Sequence, residues 1–130
     1  LKITNIIFYS LLVVVAIWFF ASKFQPVEGL RELNDSEFAT EIKSDKKQLV
    51  VDVREPSEVA AGYIAGAMNI PLGQLSNRLN EIPKDKEVLL YCRSGNRSKQ
   101  AAQILFDHGY QNVSHLKGGI LSWTGALKTP

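Results

Sequence analysis

The chain has one cysteine, two histidines and a formal net charge of only +2, and each scarcity closes off a class of function. A single cysteine excludes an intramolecular disulfide and fits a reducing compartment. Metal sites need clustered thiolates, imidazoles or carboxylates, whereas Cys92, His108 and His115 are dispersed, so no metal and no cofactor is expected. The 15 basic and 13 acidic residues are interleaved, as in Glu41–Lys47 and Glu81–Glu87. That pattern describes a solvated surface without a basic stripe and argues against nucleic acid as a partner. Internal repeats and low-complexity tracts are also missing.

A further absence is local. No charged residue occurs from Ile3 to Ser22, and Leu11–Phe20 is a dense apolar block between Lys2 and Lys23. As a helix this stretch is about 30 Å long, enough to cross the hydrocarbon core of a bilayer. A secretory signal peptide would need a small-residue cleavage site, which Phe20-Ala21-Ser22-Lys23 supplies poorly. A buried core helix is rarely apolar on every face over such a length. Residues 1–22 are therefore expected to be a transmembrane anchor, 23–29 a linker with Pro26 and Gly29, and 30–130 a globular domain. Lys23 and Arg31 follow the span while Lys2 alone precedes it, so the positive-inside rule places the domain in the cytoplasm. The expectation is a single-pass membrane protein that touches the membrane through residues 3–22. Tethering raises the effective concentration toward other membrane proteins, so a membrane-associated protein partner is also expected.

Within 30–130, the short apolar runs Leu49–Val53 and Val88–Tyr91 read as buried strands, and Val113–Leu116 is a third candidate strand. Helical spacing appears at Leu72–Leu79 and at Ser98–His108, the latter ending at Gly109. Asn34-Asp35-Ser36-Glu37 has capping-box spacing for a further helix. Alternating strands and helices predict an α/β fold with a central, mostly parallel sheet covered by helices on both faces. Ligands bind such sheets beyond the carboxyl ends of the strands. Asp52 and Cys92 both fall there.

Cys92-Arg93-Ser94-Gly95-Asn96-Arg97-Ser98 joins a strand to a helix. Backbone N–H groups and the positive helix dipole converge at such a junction and favour an anion. Gly95 and Asn96 readily take left-handed angles, which turns successive amides inward, and Ser98 is placed to cap the helix. A lone cysteine is commonly a small buried hydrophobe. Arg93, Arg97 and the amide cradle instead favour the reactive thiolate. Phosphate-ester hydrolysis and sulfur transfer both use such a thiolate, and spacing separates them. Cysteine phosphatases place an arginine after five intervening residues to grip the phosphoryl group. Here Arg97 comes after four, and no suitably placed aspartic acid is evident.

Taken with these segments, the chain resembles the rhodanese family of sulfurtransferases over nearly all of Leu30–Trp123. The resemblance is carried in order by Asp52-Val53-Arg54-Glu55-Pro56 with Glu58, Gly62–Pro71, Tyr91–Ser98, and Lys117-Gly118-Gly119 with Trp123. Tyr63 departs from the family pattern, which has histidine there. The resemblance implies that Cys92 takes a sulfane sulfur from a small donor such as thiosulfate and passes it to a thiol or cyanide. It further implies that the amides of Arg93, Ser94, Gly95, Asn96, Arg97 and Ser98 stabilise the persulfide, and that Arg93 and Arg97 attract the anionic donor. Asp52 and Arg54 brace the loop or form a strand-end ion pair without a catalytic part. The alternative function is a membrane-tethered binding or regulatory module without turnover; retention of Cys92 with both arginines argues against it. His108 and His115 are taken as structural, because nothing in the sequence sets either beside Cys92.

Overall fold

The computed structural model describes residues 2–22 and 26–130. Lys23, Phe24 and Gln25 of the expected linker, and Leu1 of the expected anchor, lie outside the described residues. The first element, α1 (Ile3–Ser22), is a helix of 20 residues with no buried side chain. It is long and apolar enough to cross a membrane, and its exposed side chains include Trp18, Phe19 and Phe20.

The remaining strands and α-helices follow in the globular part of the chain. They are β1 (Arg31–Leu33), α2 (Asp35–Ile42), β2 (Gln48–Asp52), α3 (Pro56–Ala60), β3 (Met68–Asn69), β4 (Glu87–Tyr91), α4 (Asn96–Asp107) and β5 (Val113–Leu116). The strands form one sheet in the order β1-β5-β4-β2-β3. Every pairing is parallel. The fold class is the expected one, with a central strand, β4, buried at all five positions.

Strand alternation divides the core. Val88, Leu90 and Cys92 face α4, where Ala101, Ala102 and Leu105 cover them, while Leu89 and Tyr91 face Phe38 of α2. The α2 start matches its sequence signature: Asn34 Oδ1 accepts from the Glu37 amide at 2.9 Å, and Glu37 Oε1 accepts from the Asn34 amide at 3.0 Å.

Two local expectations need correction. Leu72–Leu79 is not an α-helix but tight 3₁₀ turns at Leu72–Asn77 and Leu79–Glu81. Gly73, Ser76 and Asn77 are weak helix formers, and only Leu75 of the run is buried, so little packing offsets that weakness. The second correction concerns Ser98. The cap of α4 is Gly95, at φ 103°, and the helix starts at Asn96, which puts Ser98 inside the first turn and fully buried.

Candidate active site

Cys92 follows β4 directly, and its neighbours are shaped by contacts from the chain after β5. The carbonyls of Cys92 and Arg93 accept hydrogen bonds from the amides of Ile120 (2.9 Å) and Leu121 (3.2 Å). With these two carbonyls held to one side, the loop can offer its amides on the other. Close approach is possible because Gly119 has no side chain. Its φ is +64°, and a Cβ there would collide with the Arg93 carbonyl and lie 2.6 Å from the Cys92 oxygen. Gly119→Ala should therefore cost about 2–3 kcal/mol in urea unfolding. Gly73→Ala meets open space and has no positive φ. It should change stability by less than about 0.5 kcal/mol, and equal effects at the two glycines would contradict this account.

The thiol sits beneath the loop. Cys92 is 1 % exposed, and the Gly95 amide donates to its sulfur at 3.0 Å. Asn96, Arg97 and Ser98 begin α4, so their N–H groups have no acceptor within the helix and add to the positive end of its dipole. Arg93, Ser94 and Asn96 are exposed around the rim. The sulfur thus lies where an extra negative charge is stabilised.

The two arginines of the motif behave differently. Arg93 is exposed, whereas Arg97 forms a two-pronged ion pair with Glu58, Nη1 to Oε1 at 2.6 Å and Nη2 to Oε2 at 2.8 Å. Its guanidinium is thereby held against α3. The hydrogen bonds from Arg97, opposed by partial burial, hold the Glu58 carboxyl down at about 2 from its usual 4.5. A depressed carboxylate stabilises the fold above the unfolded value, and that stability is lost as pH falls from 4.5 through about 2. With both side chains partly solvated, Glu58→Gln should cost about 1 kcal/mol near neutral pH. The difference from wild type should shrink steadily in urea titrations below pH 4.5; a gap independent of pH would contradict the ionic origin.

Asp52 and Arg54 meet at the end of β2, beside β4. Asp52 pairs with Tyr91 in the sheet register, so this buried ion pair adjoins the strand that carries Cys92. Arg54 Nε lies 3.0 and 3.1 Å from the two Asp52 oxygens, and Nη2 lies 2.7 Å from Oδ2. Arg54 also donates to the carbonyls of Gly62 (2.7 Å) and Glu58 (3.4 Å). None of these bonds reaches the Cys92 loop itself. The connection runs through Glu58, which Arg54 holds by its carbonyl and Arg97 by its carboxylate.

His115 is the residue whose position the sequence reading missed. It is 1 % exposed on β5, and its Nδ1 lies 2.7 Å from the Ser98 hydroxyl. That hydroxyl lies 3.6 Å from the Cys92 sulfur. On its other side, His115 Nε2 lies 3.4 Å from Glu32 Oε1, which Lys99 also approaches at 3.5 Å. An open cleft on this side of the loop is lined by Glu32, Ser94, Asn96, Lys99, His115 and Lys117. His108, by contrast, bonds among the described residues to its own helix, at the Ile104 carbonyl.

The family model of the rhodanese-like domain matches residues 35–126. The chain belongs to the rhodanese-like family. The rhodanese-like domain is 39 % identical over 94 residues to a sulfurtransferase of Allochromatium vinosum, covering 72 % of this chain and 88 % of that protein. The whole chain is also 39 % identical over 125 residues to the uncharacterised protein YqhL of Bacillus subtilis, covering 96 % of this chain and 97 % of that one. A match of that span takes in α1 as well as the domain. Among solved structures, a rhodanese-related protein of Thermoplasma volcanium superposes with a TM-score of 0.70 at 32 % identity, over 77 % of this chain and 99 % of that one. Relatives named as sulfurtransferases place sulfur transfer at the level of the family.

Within the rhodanese-like domain, the expected site residues fall into two groups. Cys92, Arg93, Ser94, Gly95, Asn96, Arg97 and Ser98 form one continuous loop and helix start. Asp52 and Arg54 form a separate buried pair one strand away.

Proposed function

We propose that the domain is a sulfurtransferase that carries a sulfane sulfur as a persulfide on Cys92, with thiosulfate as a donor and cyanide or a thiol as acceptor. The observation that supports this most is the Gly95 amide aimed at the sulfur at 3.0 Å, at the head of α4. In the first half-reaction the Cys92 thiolate attacks the outer sulfur of thiosulfate. The donor S–S bond breaks, sulfite leaves with its electron pair, and a Cys92 S–S⁻ anion remains. In the second, the acceptor attacks that outer sulfur and the thiolate is regenerated. Persulfide and thiolate are both anions, so donors fixed in the loop serve both states without rearrangement.

In this reading the amides from Arg93 to Ser98 hold the persulfide. Arg93, exposed on the rim, draws the doubly charged donor. Arg97 adds to the positive field, and its bond to Glu58 fixes the end of the loop. Asp52 and Arg54 brace α3 and through it Arg97. The helix α1 serves as a single-pass membrane anchor that keeps the domain at the cytoplasmic surface, close to a membrane-associated partner.

The test is formation of thiocyanate from thiosulfate and cyanide by the full chain in detergent, repeated with thiol acceptors. Turnover with at least one acceptor supports the reading. Thiosulfate that is never consumed under any acceptor would remove thiosulfate as donor. Alkaline extraction tests the anchor: retention of the chain in the membrane fraction is expected, and its release would contradict the assignment. Cross-linking in membranes should then capture an integral or membrane-bound protein; recovery of soluble proteins alone would count against that partner.

A further inference from the structure

Four side chains from three separate parts of the sequence meet in one line: Glu32 on β1, His115 on β5, Ser98 on α4 and Cys92 after β4. The chemistry of the groups fixes how the hydrogens are arranged. An ionised carboxylate only accepts, and the His115 hydrogen bond together with Lys99, acting against partial burial, holds Glu32 below its ordinary value. His115 Nε2 must then donate to Glu32, which leaves Nδ1 as an acceptor. The Ser98 hydroxyl, 2.7 Å away, donates to it. The same hydroxyl oxygen is then free to accept from the Cys92 thiol at 3.6 Å.

We infer that Glu32, His115 and Ser98 form a proton relay to Cys92, in which His115 Nδ1 takes the thiol proton. The inference rests on Cys92 being the reactive thiol of the preceding section. In the transfer, the Cys92 S–H bond breaks with its electrons left on sulfur, and that proton forms a new O–H bond at Ser98. The original Ser98 O–H breaks at the same time, and its proton is taken by the Nδ1 lone pair. Two protons each move one step, the net transfer is one proton from sulfur to nitrogen, and nothing is oxidised or reduced. The products are a thiolate that receives the Ser98 hydroxyl and the Gly95 amide, and an imidazolium that donates to Ser98 and to Glu32.

Geometry suits His115 to this part. It stands on the same face of the sheet as Cys92, since Leu90 lies beside it in register and Val113 shares its face. Burial pushes its imidazole below the ordinary histidine value, against the pull of Glu32 and helped by Lys99. The neutral ring leaves its Nδ1 lone pair open toward Ser98, and Glu32 stands beside Nε2 to offset the charge gained on protonation. The charged groups that face it are Glu32 from β1 and Lys99 from α4, with Lys117 after β5 lining the same cleft. Glu32 is 36 % exposed at its side chain, so the far end of the relay opens to water. His115 is a positioning residue here, acting on sulfur only through Ser98. A competing acceptor exists: the Gly95 carbonyl is 3.1 Å from the Ser98 hydroxyl.

Alkylation by iodoacetamide reads the thiolate without any sulfur donor, so it is independent of whether the protein transfers sulfur. Followed across pH on the full chain in detergent, the wild-type rate should rise in two steps with a shoulder between them, the mark of a coupled thiolate–imidazolium pair. His115→Asn keeps an acceptor for Ser98 but cannot hold a proton. It should lose the shoulder and react about tenfold more slowly near pH 7, while matching wild type near pH 10. Ser98→Ala should do the same, and the double variant should be no slower than either single one. A shoulder that survives His115→Asn, or losses that add, would overturn the relay. A second measurement leaves His115 and its contacts in place. Proton NMR of the imidazole should show two titration steps in the native chain and one in Cys92→Ala, because coupling is reciprocal. Identical titrations in the two chains would overturn the proposal even if His115→Asn failed to fold.

Discussion

Cys92→Ser should abolish sulfur transfer to cyanide and to thiols, lowering turnover by about three orders of magnitude or more. The substitution changes the chemistry and holds shape nearly constant. Serine is slightly smaller than cysteine and can accept the Gly95 amide hydrogen bond, so the loop and its contacts with Ile120 and Leu121 are kept. What is lost is a nucleophilic sulfur that can hold a second sulfur. Urea unfolding of the variant should therefore resemble wild type within about 1 kcal/mol. Turnover above a few per cent of wild type, in a variant that is folded, would mean that another group carries the sulfur.

The second large effect is on stability. Arg54→Leu should destabilise the domain by about 3–5 kcal/mol, because it leaves the Asp52 carboxylate uncompensated in the interior. Asp52 is 1 % exposed and the Arg54 side chain 6 %, so water cannot replace the lost partner. The Gly62 carbonyl would lose its donor as well. Arg54→Lys should recover little of this, since one ammonium cannot reproduce the forked contacts with both carboxylate oxygens and the carbonyl. The double variant Asp52→Asn, Arg54→Leu should be less destabilised than Arg54→Leu alone, as the buried charge is gone. Urea midpoints with unchanged slopes would measure these differences. If Arg54→Leu cost less than about 1 kcal/mol, the pair would be a solvated surface contact, contrary to its burial.

Much of the sheet can be read from the chain because burial on both faces leaves continuous apolar runs, as in β2 and β4, while β5 is marked by Val113 and Leu116 at its ends. The strands β1 and β3 escape such a reading for physical reasons. Of β1 only Leu33 is buried, and β3 is two half-buried residues placed by pairing with Val51 and Asp52. The three leucines from Leu72 to Leu79 show helical spacing, yet backbone preference at Gly73, Ser76 and Asn77 yields 3₁₀ turns. The cysteine loop is legible because its chemistry is local to seven residues. The partner of Arg97 is not, since Glu58 is 39 residues distant and reaches it only once α3 is in place.

His115 carries an instructive signal. Alternation alone assigns Val113 and His115 to one face of β5, and Val88, Leu90 and Cys92 to one face of β4. What the sequence does not contain is the register, Leu90 beside His115, and the order that makes β4 and β5 neighbours. With those two facts, a histidine read as merely structural comes to lie two hydrogen bonds from the thiol. The same step moves Ser98 from helix cap to link.

The most direct test of persulfide transfer is the intact mass of the full chain after incubation with thiosulfate and removal of excess donor. The account predicts a species heavier by one sulfur atom, discharged by cyanide or a thiol and missing from Cys92→Ser. A wild-type mass left unchanged by thiosulfate and by other sulfane-sulfur donors, or an adduct that persists in Cys92→Ser, would contradict it.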